Sequence, residues 1–131
     1  MTSSQTASSS NAVVRTRAMP ADTNPAGDIF GGWLLSQMDM AGEITAGQKS
    51  RSRVVTVAVN AMTFHKPVHV GDVVSCYTHI ERVGRTSITV RIEAVVMRLE
   101  TGEKVPVTEG VFVYVALDKN GQPRDVEAAK G

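Results

Sequence analysis

The sequence predicts an α+β domain in which one long helix lies against a wide antiparallel sheet. Three observations carry that prediction. Residues 30 to 46 form the single long stretch with helical spacing, and most of the remaining chain alternates with the period of a strand. The last four strand-like runs are joined by short links, which force antiparallel neighbours because a parallel pair needs a crossover of about a dozen residues.

Each element can be justified in order. Residues 1–10, MTSSQTASSS, are small and polar and are expected to be a disordered tail. Asn11 to Arg17 alternates loosely as a first strand, and Pro20 ends regular pairing. Asp22, Asn24, Pro25, Gly27 and Asp28 are turn residues that lead into the helix. At about 100° per residue, the helix carries Phe30, Trp33, Leu34, Gln37, Met38, Ala41, Ile44 and Thr45 on one side. That side is expected to meet the sheet. Gly32, Leu35, Ser36, Asp39, Gly42, Glu43 and Ala46 fall on the other, a face of small residues around an acid. Gly47 is expected just past the helix end.

The period then changes from 3.6 to 2. Arg53 to Phe64 is a long β-branched run, broken by Lys66-Pro67 and turned by Gly71-Asp72. Val73 to Val83 follows, closed by Gly84. Thr86 to Arg98 alternates most cleanly, with Ile88, Val90, Ile92 and Ala94 on one face and Ser87, Thr89, Arg91 and Glu93 on the other. Thr101-Gly102 turns into Val105 to Leu117, which sets Glu109, Val111, Val113, Val115 and Leu117 on one side. The expected domain spans 11–124, with a flexible tail over 125–131.

Composition excludes several classes. A net charge of +1 with no basic block argues against a nucleic-acid binder. No apolar run approaches the ~20 residues of a membrane span. With one cysteine, Cys76, and no signal-peptide pattern, the expected compartment is the cytoplasm. His65 and His69 are separated by Pro67 and lack an acid or thiol to complete a zinc set. Cys76 reads as core.

The run M-P-x-D-T-N-x-x-G-D-I-F-G-G-W-L-x-S-Q-M-D at Met19 to Asp39 is similar to that of the YciA-type acyl-CoA thioesterases. So are R-V-V-T-V-A-V at Arg53 to Val59, F-H-K-P-V-x-V-G-D-V-V at Phe64 to Val74, and V-G-R-T-S-I at Val83 to Ile88. The resemblance covers residues 12 to 124. It implies the hotdog fold, a long antiparallel sheet wrapped around a central helix, and hydrolysis of acyl-CoA to a free acid and CoA. It implies a homodimer with shared active sites, commonly a trimer of dimers, with Gly32, Gly42 and Ala46 admitting the partner subunit. No metal or redox cofactor is implied, since CoA is part of the substrate.

Residue by residue, the resemblance puts the catalytic carboxylate at Asp39, as general base or nucleophile. Read from the residues alone, Glu43, one turn later, either acts on it by like-charge repulsion or is simply exposed. Asn24 matches the family's loop asparagine, thought to act across the dimer interface; the plain alternative is that it closes a turn. Asp28 divides between positioning the thioester and capping the helix. Gly31 and Gly32 open the helix, where free N–H groups favour a developing oxyanion. Lys66, Arg85 and Ser87 are candidates for the CoA phosphates and pantetheine, and Thr56 and Val57 for the pantetheine channel. The rival readings are a hotdog hydratase or dehydratase, disfavoured because 24–46 contain no histidine, and a non-catalytic acyl-CoA-binding protein, disfavoured because Asn24 and Asp39 are both retained.

Overall fold

The computed structural model describes residues 11–127; the tail expected over 1–10 lies outside them. Five strands form one antiparallel sheet: β1 (Val14–Arg17), β2 (Arg53–Phe64), β3 (Val73–Val83), β4 (Ser87–Met97) and β5 (Lys104–Leu117). One helix, α1 (Gly31–Ser50), follows β1 and a short 3-10 turn at Pro20–Asp22. The helix touches all five strands. Five strands at about 4.8 Å spacing are wider than a helix of ~10 Å diameter, so a sheet in contact throughout must curl around it.

Strand order is β1-β3-β4-β5-β2, every pair antiparallel. β3, β4 and β5 are successive hairpins, as the short links require. β2 is the exception: it was expected beside β3 and instead pairs β5 at the far side. The segment after Phe64 makes that transfer possible. His65 and Lys66 donate to the Val107 carbonyl, Val68 is buried, and Gly71 donates to Ala18, so the link is pinned across the sheet end. Its last turn is held by Asp72, whose carboxylate accepts from His69 N–H at 2.8 Å and pairs with Arg98.

The helix is one turn longer than expected. Gly47 lies inside it, and Arg51, at φ 56°, is the left-handed residue that ends it, its N–H bonded to the Gly47 carbonyl. The expected helix faces are also rotated. Leu34, Met38 and Ala41 are buried as anticipated, but Gly42 and Ala46 join them from the face assigned to a partner. Trp33 and Leu35 are half-buried against the core, whereas Phe30 just before the helix is 49% exposed, Met40 46% and Ile44 40%.

The core is the inner face of the sheet against α1: Ile88, Val90, Ile92 and Ala94 of β4, with Phe112, Tyr114 and Ala116 of β5, all fully buried. The outer face carries the charges, including Arg91 between Glu81 and Glu109. The tail expected from Asp125 is held at its start, where Val126 is buried and donates its N–H to the Arg85 carbonyl. Residues 128–131 lie outside the described residues.

Candidate active site

Asp39 sits on the flank of α1 that faces β2. Its Oδ1 accepts two hydrogen bonds, from Thr56 Oγ1 at 2.7 Å and from the Tyr114 hydroxyl at 2.9 Å. The Tyr114 hydroxyl also lies 3.1 Å from the Asp39 carbonyl oxygen. Thr56 is an inward residue of β2 paired with Tyr114 of β5, so the two donors come from neighbouring strands. Immediately after Thr56 the register slips, leaving Val57 as an extra, exposed residue in a β-bulge. Thr56 and Val57 were expected to border a channel; the Thr56 hydroxyl is engaged on Asp39.

Tyr114 was missed by sequence reasoning. The signal existed: it lies on the strand face opposite Glu109 to Leu117, and a buried tyrosine hydroxyl needs a partner. Burial, then the negative Asp39 beside it and their hydrogen bond, raise the phenol's pKa well above its usual value, with the Glu43 charge adding to the effect. The hydroxyl therefore stays a donor. Its room is made by Gly42, where a Cβ would clash with the hydroxyl and lie 2.6 Å from Ile92 Cδ1. Gly42 thus serves this chain's own core, which corrects its expected place at a partner contact; fully buried Ala46 is corrected for the same reason.

At the other end of α1 the loop is tightly closed. Asn24 Oδ1 accepts from Ala26 N–H at 3.0 Å and Asp28 N–H at 3.1 Å, while Asn24 N–H donates to the Asp28 carbonyl at 2.7 Å. The turn-closing reading of Asn24 is therefore realised through its oxygen. Its amide nitrogen has no hydrogen-bond partner among the described residues. Asp28 does not cap the helix: the N-cap position is Phe30, two residues later, with no side-chain cap bond. The Phe30 carbonyl takes the N–H groups of Trp33 and Leu34. Those of Gly31 and Gly32 find no acceptor among the described residues and are exposed. Two adjacent unsatisfied donors at the positive end of a 20-residue helix suit a negative oxygen.

Lys66 shares a small cleft with Gly31, bounded by Phe30, Leu34, Phe64 and Val68. Arg85 and Ser87 lie elsewhere, in the β3–β4 hairpin. Phe64 pairs with Thr108 and Ser87 with Val115, so Lys66 and Ser87 are separated by roughly 23 Å along β5. The Arg85 guanidinium, largely exposed, pairs with Asp125 at 2.8 Å. One chain does not bring these three candidates together.

Among the described residues no three His, Cys, Asp or Glu side chains converge as metal ligands. His65 faces Glu109 at 3.6 Å on the outer face. Cys76 is fully buried, and desolvation pushes its thiol up to about 12, which leaves it a neutral core residue. No helix of the described residues is long and apolar enough to cross a membrane.

Known proteins are similar to this chain over most of its length. The profile of the thioesterase superfamily matches residues 26–100. The acyl-CoA thioester hydrolase YciA of Salmonella typhimurium strain LT2 is 53% identical over 115 residues, 86% of this chain and 86% of the relative. A hexameric thioesterase of Yersinia pestis superposes with a TM-score of 0.84 at 55% identity, over 88% of this chain and 93% of its own. A hexameric broad-specificity acyl-coenzyme A thioesterase, solved as an aspartate-to-alanine mutant, superposes with a TM-score of 0.85 at 50% identity, over 88% and 86% of the two chains.

Proposed function

The chain belongs to the thioesterase superfamily, and from that premise we propose that it is a hotdog-fold acyl-CoA thioester hydrolase whose active site is built from two copies of the chain. The substrate is an acyl-CoA and the products are a carboxylic acid and CoA. The reaction needs little from the protein: a positioned carboxylate and donors for the oxygen that becomes negative. A thiol of pKa ~8.5 leaves as thiolate without an acid.

Asp39 supplies the carboxylate, either drawing a proton from water or attacking the thioester carbon itself. Gly31 and Gly32 N–H donate to the carbonyl oxygen as the tetrahedral intermediate forms. Asn24 holds the water or the carbonyl through its free amide nitrogen. Asp28 shapes the loop that carries Asn24. No metal or redox group enters these steps, and CoA is present only as part of the substrate.

One observation carries the two-chain reading. Gly31 and Asp39 are eight positions apart on the same helix, about 12 Å along its axis at 1.5 Å per residue. A single carbonyl group cannot be reached by both from one chain. A second copy, antiparallel to the first, brings the helix start of one to the acid of the other. The molecule has a surface suited to that arrangement. Phe30, Met40 and Ile44 expose an apolar stripe on the far side of α1, and β2 ends the sheet with a free edge. Such an edge invites pairing with a second strand.

Lys66 from one chain and Arg85 with Ser87 from another then contact the CoA phosphates and pantetheine, and Thr56 and Val57 border the channel. The assembly is a dimer, further arranged as a trimer of dimers, in keeping with the hexameric relatives. The compartment is the cytoplasm. The test is hydrolysis of a panel of acyl-CoA esters followed by release of free CoA thiol, with Asp39→Asn beside the parent. Turnover by the parent and loss of most kcat in the variant are expected. No release from any ester contradicts the activity, and near-normal turnover by Asp39→Asn contradicts the assignment of the acid.

A further inference from the structure

We propose that Tyr114 is a positioning residue for the hydrolysis, fixing the Asp39 carboxylate so that Oδ2 alone faces the reacting water or thioester. This rests on the reading of Asp39 as the reacting acid. Both described donors, Thr56 Oγ1 and the Tyr114 hydroxyl, bind the same oxygen, Oδ1. Oδ2 receives no hydrogen bond among the described residues. A carboxylate held by two donors on one oxygen cannot rotate freely about its last bond, and its remaining oxygen keeps one direction.

The tyrosine is itself well held. It is fully buried, and its ring lies 6.4 Å from that of Phe112 at an interplanar angle of 11°. Its hydroxyl fills the space left by the missing side chain of Gly42. Because burial and the neighbouring negative charge keep the phenol protonated, it donates at every pH where the acid works. Catalytic rate depends steeply on such placement: a displacement of about 1 Å is worth on the order of 100-fold. A purely structural tyrosine would satisfy its own hydroxyl and leave turnover indifferent to the loss of that group.

The experiment uses the assembled enzyme and four variants, Tyr114→Phe, Thr56→Val, Asp39→Asn and Asp39→Asn/Tyr114→Phe. Each is read for kcat, KM and thermal midpoint on one acyl-CoA. Tyr114→Phe keeps the ring stack and is expected to lose roughly 10- to 100-fold in kcat at an unchanged KM and midpoint. Thr56→Val, which removes the other donor, should also lower kcat. Adding Tyr114→Phe to Asp39→Asn should cost nothing more, because the hydroxyl acts only through the acid. Wild-type kcat in Tyr114→Phe overturns the proposal while Asp39→Asn still verifies the acid. So does a kcat loss that merely follows a lowered thermal midpoint or a raised KM. Near-normal turnover by Asp39→Asn removes the underlying reading and the proposal with it.

Discussion

The Tyr114 hydroxyl occupies the space that a side chain on Gly42 would need. A Cβ built there would clash with that hydroxyl and sit 2.6 Å from Ile92 Cδ1. All three residues are buried, so no flexible end can yield. Gly42→Ala is therefore expected to destabilise the fold by about 1–3 kcal/mol through overpacking, despite alanine's higher helix propensity. It should lower turnover as well, because the displaced hydroxyl is a donor to Asp39. Urea denaturation and an activity assay check both; an unchanged midpoint with unchanged kcat contradicts the packing described.

Asp72 and Arg98 close the link that carries the chain from β2 at one sheet edge across to β3. Asp72 is 3% exposed and also accepts from His69 N–H, while Arg98 reaches the Pro67 carbonyl at 3.3 Å. Truncating the arginine leaves a buried carboxylate without its cation, an outcome that costs about 3–5 kcal/mol. Arg98→Ala should show that loss in a urea titration. A midpoint near that of the parent would mean the pair does not hold the link.

Thr108 offers the opposite case. Its hydroxyl is buried on the inner face of β5 with no hydrogen-bond partner among the described residues. Valine has the same shape without the unsatisfied group, whose burial costs about 1–3 kcal/mol. Thr108→Val is expected to raise stability by ~1 kcal/mol, read as a higher urea midpoint at unchanged slope. Destabilisation would show that the hydroxyl has a partner in the assembled protein.

Two buried acids give a pH dependence of definite sign. The Cys76 thiol is pushed from 9.0 up to about 12, and Tyr114 is raised as well, in both cases chiefly by burial. In the unfolded chain these groups ionise first as pH rises, so the unfolded state then binds fewer protons than the folded one. The Cys76 contribution is fully present below pH 9 and is lost between about 9 and 12, and that of Tyr114 is lost from about pH 10 upward. Urea midpoints should fall over that range, and less steeply in Cys76→Ala. The same burial predicts that Cys76 resists thiol reagents at pH 8 until the protein is unfolded. Rapid labelling of the native protein contradicts it.

Local pattern made much of the fold legible. Ile88, Val90, Ile92 and Ala94 form the buried face of β4 that their alternation predicts, and Trp33 to Ala46 lie in one helix. What escaped was non-local. The pairing of β2 with β5 depends on a link whose pinning contacts come from Val107 and Ala18, distant in sequence. The bulge at Val57 leaves no compositional mark. The helix faces were misread because one apolar side was assigned to the sheet, whereas apolar residues occupy nearly every side of α1. A helix that is apolar on several sides gives no single stripe to mark the face against the sheet. In the candidate site, Asp39 stood out as an acid on a helix face of mostly small residues, with Glu43 one turn on. Its Tyr114 partner lies 75 positions away, and the vacancy that admits the hydroxyl, Gly42, looked like a contact for another chain.

In the proposed dimer each site takes its acid from one chain and its loop from another. Mixing two inactive variants tests it most directly. Asn24→Ala and Asp39→Asn, each assembled alone, should be nearly inactive. When the two are unfolded together and reassembled in equal amounts, half of the dimers are mixed, and each mixed dimer holds one site free of both lesions. Acyl-CoA hydrolysis should then return to roughly one quarter of the parent's rate, as random pairing in a two-fold dimer requires. Activity no higher than that of the separate variants would contradict a shared site.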